Sequence, residues 1–142
     1  MNDYKIDQIE VGMEASFSKQ ITREMEDSFR TITGDNNPLH RDDNFARDVS
    51  NKKFREHVAF GMLTASLYST MAGMYLPGKY SLIHSIDELS FLAPVFIGDV
   101  LEISGKVIDK NIDLKFIVIK VVIKNQDKKT VSKAKMKVLV MK

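Results

Sequence analysis

The sequence predicts an α+β fold in which a curved antiparallel sheet wraps around one long central helix. Residues 58–78 carry no charged side chain, as expected for a helix buried in the middle of a domain. Four strand-like stretches follow, separated by short polar turns, which favours antiparallel pairing of neighbouring strands. The chain has the length of one domain and contains no linker or repeat, so residues 1–142 are expected to form a single unit.

The N-terminal third is expected to begin with a short strand at residues 15–20, followed by an amphipathic helix. Thr22 is a suitable N-cap for this helix because its hydroxyl can accept a hydrogen bond from a free backbone N–H. Met25, Phe29 and Ile32 recur at three- and four-residue spacing, which predicts that they share one face of the helix.

The middle of the chain is expected to hold a loop, a short helix and the long central helix. Turn-forming residues at 33–38 end the first helix, residues 39–48 form a short helical excursion, and residues 49–56 form a polar loop. The long helix covers residues 58–75, is apolar on nearly every face and should be buried all round. It ends at the Leu76-Pro77-Gly78 turn.

The C-terminal half alternates apolar and polar residues with a period of two, which is typical of half-buried strands. Its four predicted strands cover residues 82–92, 100–109, 113–124 and 130–141. A sheet curved around a single helix is the hot-dog architecture. Such a sheet leaves an edge strand and an apolar flank exposed, so we expect a homodimer or a dimer of dimers.

Composition excludes several classes of protein. The net charge is only +2, and the lysines near the C-terminus interleave with apolar residues, so no nucleic-acid partner is expected. The absence of cysteine excludes disulfides and thiolate chemistry. Residues 1–10 lack the apolar core of a signal peptide, and the glycine and proline within residues 58–78 favour a buried helix over membrane insertion. The expected compartment is the cytoplasm.

One loop carries a candidate acid–base pair. Asp35 and His40 lie five residues apart, and Gly34 and Pro38 permit a bend that turns both side chains inward. Asn37 is suited to fixing this loop through side-chain-to-backbone hydrogen bonds. An ordinary turn beside a surface histidine has the same composition, so the loop alone does not establish a site. The sequence also leaves open which of the two groups is the base.

The start of the central helix is the second candidate feature. Gly61 falls in its first turn, where free backbone N–H groups and the helix dipole favour negative charge. A carbonyl oxygen can approach a glycine closely, so this helix start would stabilise the charge that develops on a thioester oxygen. Close packing alone explains Gly61 about equally well.

Four motifs occur in order along about residues 14–142. They are Phe29-x₃-Thr33-Gly34-Asp35-x-Asn37-Pro38-Leu39-His40-x₄-Phe45-Ala46, Gly61-Met62-Leu63-Thr64-Ala65-Ser66-Leu67, Leu76-Pro77-Gly78, and Leu89-Ser90-Phe91-x₂-Pro94-Val95-Phe96-x-Gly98-Asp99. Together they resemble the MaoC-like, (R)-specific enoyl-CoA hydratase family. This resemblance implies a hot-dog dimer that hydrates trans-2-enoyl-CoA to (R)-3-hydroxyacyl-CoA, or catalyses the reverse dehydration.

The resemblance also implies roles for single residues. The catalytic aspartate and histidine of the family fall on Asp35 and His40, and its loop-stabilising asparagine falls on Asn37. The glycine whose N–H helps to hold the thioester oxygen falls on Gly61. A helix serine near the catalytic aspartate falls on Ser69.

One position departs from the family. Many members carry a histidine directly before the helix glycine, whereas this chain has Phe60. His57 is offset from that position by three residues and is not assigned its role, and His84 is expected to be structural or exposed. The three scattered histidines show no paired ligand spacing, so neither a metal nor another cofactor is expected.

Two other functions fit the same architecture. A hot-dog thioesterase would cleave the acyl–sulfur bond, and a non-catalytic module would only bind acyl-CoA or an acyl carrier protein. The spacing of Asp35 and His40 favours the hydratase, and no Gly-x-Ser-x-Gly elbow is present. The acyl carrier, CoA or a carrier protein, stays open. Arg55 and Lys79 are candidates for contacts with nucleotide phosphates.

Overall fold

A computed structural model describes residues 1–142 and has the predicted α+β fold. A five-stranded antiparallel sheet packs against one central helix. The strands are β1 (Glu14–Gln20), β2 (Ser81–Phe91), β3 (Val100–Asn111), β4 (Phe116–Lys124) and β5 (Thr130–Val140). The α-helices are α1 (Arg23–Thr33), α2 (Asp43–Val49) and α3 (Gly61–Thr70), and single turns of other helical types lie at Ile6–Gln8, Pro38–His40 and Met71–Tyr75.

The spatial order of the strands is β1-β3-β4-β5-β2, and every neighbouring pair is antiparallel. Strands β3, β4 and β5 are joined by short turns and pair in sequence, as predicted. The expectation that β2 and β3 are also neighbours is wrong, because β2 pairs with β5 at one edge and β3 pairs with β1 near the other.

The reason lies in residues 92–99, which cross from one edge of the sheet to the other. Leu92 N–H donates to the carbonyl of Val131 in β5, and Gly98 N–H donates to the Ile21 carbonyl just after β1. Between these two contacts, Ala59, which lies two residues before α3, donates its N–H to the carbonyl of the buried residue Val95. The segment therefore crosses at the start of the central helix, where the candidate site lies.

The core lies between α3 and the inner faces of β3, β4 and β5. Ile117, Ile119, Val121 and Ile123 alternate along β4 and are fully buried, which confirms the period-two pattern. The helix approaches the sheet closely at Gly105, where a Cβ atom would lie 2.8 Å from Met71 Sδ. A side chain there would overpack the core and cost about 1–3 kcal/mol.

The central helix is shorter and less enclosed than the sequence predicts. It begins at Gly61 rather than at residue 58, and residues 71–75 continue it as a wider turn that ends before the Leu76-Pro77-Gly78 turn. The expectation that the helix is buried all round is wrong, because Met62 is 58% exposed and Ser66, Ser69 and Met74 are also exposed. One sheet covers only one side of a helix. No helix here is both long and apolar enough to cross a membrane.

Candidate active site

The loop between α1 and α2 carries His40 at the end of a single helical turn, Pro38–His40. The imidazole is half-buried, and its Nδ1 lies 2.8 Å from the Val58 carbonyl oxygen. Because a carbonyl only accepts, Nδ1 carries the hydrogen and donates it, so Nε2 keeps its lone pair. The contact therefore fixes the tautomer in which Nε2 can take up a proton from a bound molecule.

His40 lines a largely apolar cavity of about 320 Å³ at the start of α3. Gly61, which the sequence predicts as part of the site, lines the same cavity. A Cβ atom at Gly61 would lie 3.3 Å from Cε1 of the Phe91 ring, so the absence of a side chain keeps this wall open. The remaining lining residues are Phe54, Val58, Ala59, Thr64, Phe91, Leu92, Ala93, Pro94, Val95 and Val131.

Asp35 is exposed and is not among the residues that line the cavity. Its Oδ1 accepts from the Asn37 N–H at 2.9 Å, and its own N–H donates to Thr33 Oγ1 at 3.2 Å. Gly34 ends α1 in the left-handed conformation, with φ of 72°. The expected inward turn is therefore present at His40 and absent at Asp35 in the isolated chain.

Asn37 fixes the loop through hydrogen bonds of the kind the sequence suggests. Its Oδ1 accepts from the Leu39 N–H at 3.0 Å and caps the Pro38–His40 turn. Ser69 is exposed on the last turn of α3, about 12 Å along the helix axis from Gly61 at the usual rise per residue. The structure thus brings His40 and Gly61 together and leaves Asp35, Asn37 and Ser69 outside the cavity.

An ionic cluster lies behind the loop and centres on His57, which is 6% exposed; Glu26 is also buried, whereas Asp43 is exposed. Its Nδ1 lies 2.6 Å from Asp43 Oδ1 on α2, and its Nε2 lies 3.0 Å from Glu26 Oε2 on α1. The backbone N–H of His57 also donates to Asp43 Oδ1 at 2.9 Å. Arg30 Nη2 lies 3.9 Å from Glu26 Oε2, which completes the cluster. It ties α1, α2 and the segment before α3 together.

The two carboxylates favour the charged form of His57. Burial disfavours the charged imidazole, but the hydrogen bonds to Asp43 and Glu26 and the charges of both outweigh it, so the pKa of His57 lies above its usual value of 6.5. The hydrogen bond from the His57 backbone N–H, then that from its ring, lowers the pKa of Asp43 below 3.8. The raised pKa extends upward the pH range over which His57 carries a positive charge.

The cluster contacts the His40 end of the loop directly. Arg30 Nη2 donates to the His40 carbonyl at 2.9 Å, and its guanidinium lies 5.6 Å from the centre of the Phe60 ring. The Phe60 ring in turn lies 4.4 Å from the His40 ring. Val58, the residue after His57, donates its N–H to the Leu39 carbonyl at 3.0 Å. His40 is therefore held through its ring, its backbone and its neighbour.

Residues 7–134 match the family described as MaoC like domain. The chain belongs to the MaoC-like domain family. A segment of 91 residues is 42% identical to an (R)-specific enoyl-CoA hydratase of Aeromonas caviae, and one of 99 residues is 36% identical to a 3-hydroxybutyryl-CoA dehydratase of Methylorubrum extorquens. These segments span 64% and 70% of this chain, and only 65% and 60% of the relatives.

Solved structures show the same MaoC-like fold over nearly the whole chain. An (R)-hydratase from A. caviae, described as involved in PHA biosynthesis, superposes with a TM-score of 0.84 at 32% identity. That match covers 93% of this chain and 97% of the other. An R-hydratase from Pseudomonas aeruginosa gives a TM-score of 0.86 at 27% identity, covering 96% of this chain and 84% of the other. The predicted family and hot-dog architecture are confirmed.

Sequence reasoning missed the ionic cluster of this MaoC-like domain. Glu26 lies in the first turn of α1, where an acidic side chain is favourable in any helix, and His57 has no role in the sequence-based prediction. The partners Glu26 and His57 are 31 residues apart and lie on different elements, so no local spacing relates them. The one available signal is the four-residue spacing of Glu26 and Arg30, which places them on one helical face.

Proposed function

We propose that the chain hydrates trans-2-enoyl thioesters to (R)-3-hydroxyacyl thioesters, or dehydrates them in reverse. The observation that carries the proposal is the His40 imidazole, held at Nδ1 by the Val58 carbonyl, in the lining of an apolar cavity whose wall includes the first residue of α3. An acid–base group and a helix start next to one apolar cavity suit chemistry on an acyl chain. The names of the A. caviae and M. extorquens relatives point to the same reaction.

In the proposed hydration, the thioester oxygen accepts a hydrogen bond from a backbone N–H near Gly61. This interaction stabilises the negative charge that develops on that oxygen as the double bond is attacked. A water molecule held between Asp35 and His40 forms a bond to C3 and gives up one proton, and one proton is delivered to C2. One of the two side chains takes the proton that the water loses, and the other gives the proton that C2 receives. Atoms and charge therefore balance over the reaction.

Asp35 lies on the outer side of the same loop, so in this mechanism its carboxylate turns toward the His40 cavity when a ligand or a second subunit binds. Its carboxylate is exposed and bound only to its own loop, so it is free to face a ligand or a second subunit. Asn37 holds the intervening backbone through its bond to Leu39, and Ser69 is proposed to contact the loop from the exposed face of α3.

We further propose that the functional unit is a homodimer. Edge strand β2 and the residue after it expose several large apolar side chains, namely Leu82 at 53%, Ile86 at 38%, Phe91 at 51% and Leu92 at 52%. An edge strand also presents unpaired backbone groups that a second copy can satisfy. Two copies that join through this edge would cover apolar surface close to the His40 cavity, since Phe91 and Leu92 also line that cavity.

The reaction is tested with crotonyl-CoA and the purified chain. Hydration removes the enoyl absorbance band without releasing free thiol, and chiral analysis of the product should give the (R)-3-hydroxy form. Thiol release would instead identify a thioesterase, and binding without turnover would identify a non-catalytic module. Either outcome overturns the proposal.

The residue assignment is tested with His40→Ala and Asp35→Ala. Each should lower kcat by roughly 10²–10⁴, which is the usual contribution of a positioned acid or base. Asp113→Ala is the control, because Asp113 is exposed in the turn between β3 and β4 and should leave kcat unchanged. A His40 or Asp35 variant with near-wild-type hydration would remove that residue from the mechanism.

A further inference from the structure

The wall of the His40 cavity contains one polar side chain that the proposed mechanism does not use. Of the 12 residues that line the cavity, only His40 and Thr64 have polar side chains. The Nδ1 atom of His40 already donates to the Val58 carbonyl. The second polar group is the hydroxyl of Thr64, which belongs to α3, the helix that starts at Gly61.

Thr64 is buried, and its hydroxyl has no hydrogen-bond partner in the protein. The residue is only 2% exposed, and its Oγ1 neither donates nor accepts a bond within the chain. A threonine hydroxyl inside a helix commonly bonds to the carbonyl four residues earlier. Here that carbonyl, of Phe60, accepts from the N–H groups of Leu63 at 3.1 Å and Thr64 at 3.3 Å. A buried hydroxyl without a partner is unfavourable, so a bound molecule that supplies the partner would recover that loss.

The direction of the Thr64 side chain brings its hydroxyl toward the start of α3. Residues three apart share one face of a helix, and the Cα–Cβ bond of a helical residue tilts toward the helix N-terminus. The Thr64 side chain therefore extends toward Gly61, three residues earlier, and both residues line the cavity. Because the first N–H groups of a helix have no intrahelical acceptor, a backbone donor and a hydroxyl border the same space.

We propose that Thr64 is a catalytic residue whose hydroxyl donates a hydrogen bond to the thioester carbonyl oxygen, beside the backbone N–H near Gly61. This inference rests on the proposed function and adds a second donor to it. A carbonyl oxygen only accepts and a hydroxyl can donate, so the contact satisfies both groups. Negative charge on that oxygen increases as C3 is attacked. The hydrogen bond is therefore stronger in the transition state than in the bound substrate and accelerates the chemical step.

The first test is Thr64→Val, which removes the hydroxyl and keeps the branched shape of the side chain. It should lower kcat for crotonyl-CoA about 10²-fold, the usual effect of losing one donor to a developing oxyanion, with a smaller change in KM. Thr64→Ser keeps a hydroxyl and should recover most of kcat. Since valine replaces a buried hydroxyl without a partner, the Thr64→Val protein should unfold at the same urea concentration as wild type or at a higher one.

Thr70→Val is the matched control, because Thr70 is the last residue of the same helix and does not line the cavity. It should leave kcat unchanged. An equal loss of kcat in Thr70→Val would reduce the result to a general effect on α3 and overturn the inference. So would near-wild-type kcat in Thr64→Val, or a loss of activity that is accompanied by unfolding at a lower urea concentration, since that pattern indicates a structural role.

A second measurement separates this inference from the proposed reaction. Butyryl-CoA has no double bond to hydrate, so the infrared stretching frequency of its isotope-labelled thioester carbonyl reports hydrogen bonding in the bound state alone. The frequency should be lower in the wild-type complex than in the Thr64→Val complex, and Thr64→Ser should match wild type.

Equal frequencies in the wild-type and Thr64→Val complexes would overturn the role of Thr64 even if crotonyl-CoA is hydrated. If the wild type does not hydrate crotonyl-CoA, the proposed reaction is wrong, and the carbonyl frequencies alone then decide whether Thr64 contacts a thioester. Absence of butyryl-CoA binding to the wild type would overturn the inference.

Discussion

The two ends of the loop at residues 34–40 are held in opposite ways. His40 is fixed by the Val58 carbonyl, by Arg30 and by the Phe60 ring, which belong to other elements. Asp35 is exposed and is bonded only to Thr33 and Asn37, within two residues of itself. An ionic cluster around the buried His57 thus supports one candidate catalytic group, while the other depends on local turn geometry.

Two residues of one short loop can therefore differ in rigidity, because their contacts with the rest of the fold differ. The His40 end should move only when α1, α2 and the segment before α3 separate, because the cluster links all three. The Asp35 end can change its side-chain contacts without disturbing the core. We therefore expect changes behind His40 to affect stability and changes at Asp35 to affect activity alone, and four predictions test this contrast.

The largest expected effect is from Glu26→Ala. It leaves His57 and Arg30 without their buried carboxylate, and breaking a buried ion pair by removing one partner costs about 3–5 kcal/mol. The free energy of unfolding in urea measures this loss. Glu24→Ala, on the exposed side of the same helix, should cost less than about 1 kcal/mol. Equal effects from the two variants would show that the cluster does not stabilise the fold.

The second prediction concerns pH. Since the pKa of His57 is raised, its contribution to stability is complete below 6.5 and is lost as the pH rises through the higher pKa of the folded state. Since the pKa of Asp43 is lowered, its contribution is present above 3.8 and is lost as the pH falls through the lower value.

The difference in unfolding free energy between wild type and His57→Gln should therefore shrink as the pH rises above about 6.5, the ordinary value for histidine. Glu26, Asp43 and Arg30 are the charged groups that contact or flank His57. A difference that is constant from pH 5 to pH 9, or grows with pH, would contradict a charged His57.

A smaller effect is expected from Asn37→Ala, which removes the cap on the Pro38–His40 turn. Loss of such a cap costs about 1 kcal/mol. Asn37→Asp keeps an accepting oxygen and should recover most of the stability, because asparagine and aspartate cap about equally well. Thermal unfolding of the three proteins provides the comparison. Failure of the aspartate variant to recover would place the role of Asn37 elsewhere.

The smallest stability effect is expected from Asp35→Asn. The new amide oxygen can still accept from the Asn37 N–H, and surface changes usually stay within about 0.5 kcal/mol. Unfolding in urea should therefore match wild type even where hydration is lost. A loss of more than about 1 kcal/mol would mean that Asp35 is part of the structural support, like the His40 end, and would remove the contrast.

Local signals in the sequence predict most of the fold. Alternation along β3, β4 and β5, the Thr22 cap and the Leu76-Pro77-Gly78 turn depend on neighbouring residues, and each is present in the structure. The position of β2 beside β5 depends on contacts between distant residues that no local pattern specifies. The exposed face of α3 was also not predicted. The absence of charge does not distinguish a helix buried within one chain from a helix that faces a second subunit.

The candidate site was also predictable from local sequence signals only in part. Motif order led to His40 and Gly61, and the structure brings both to one cavity. The exposure of Asp35 and the cluster around His57 depend on side-chain directions and on pairings across 14 and 31 residues. Sequence spacing cannot supply either. The catalytic roles of Asp35 and His40, and those of Asn37, Gly61 and Ser69, stay predictions.

The segment at residues 92–99 resembles an ordinary surface connection in sequence, but it is bonded on both sides of the sheet and in the middle. An inserted residue there would shift three anchoring points at once, at Val131, Ala59 and Ile21. Length differences among related chains should therefore accumulate elsewhere, such as in the exposed turn at residues 112–115. Constant length of the segment at residues 92–99 would then identify this wall of the cavity in related chains more reliably than any single side chain.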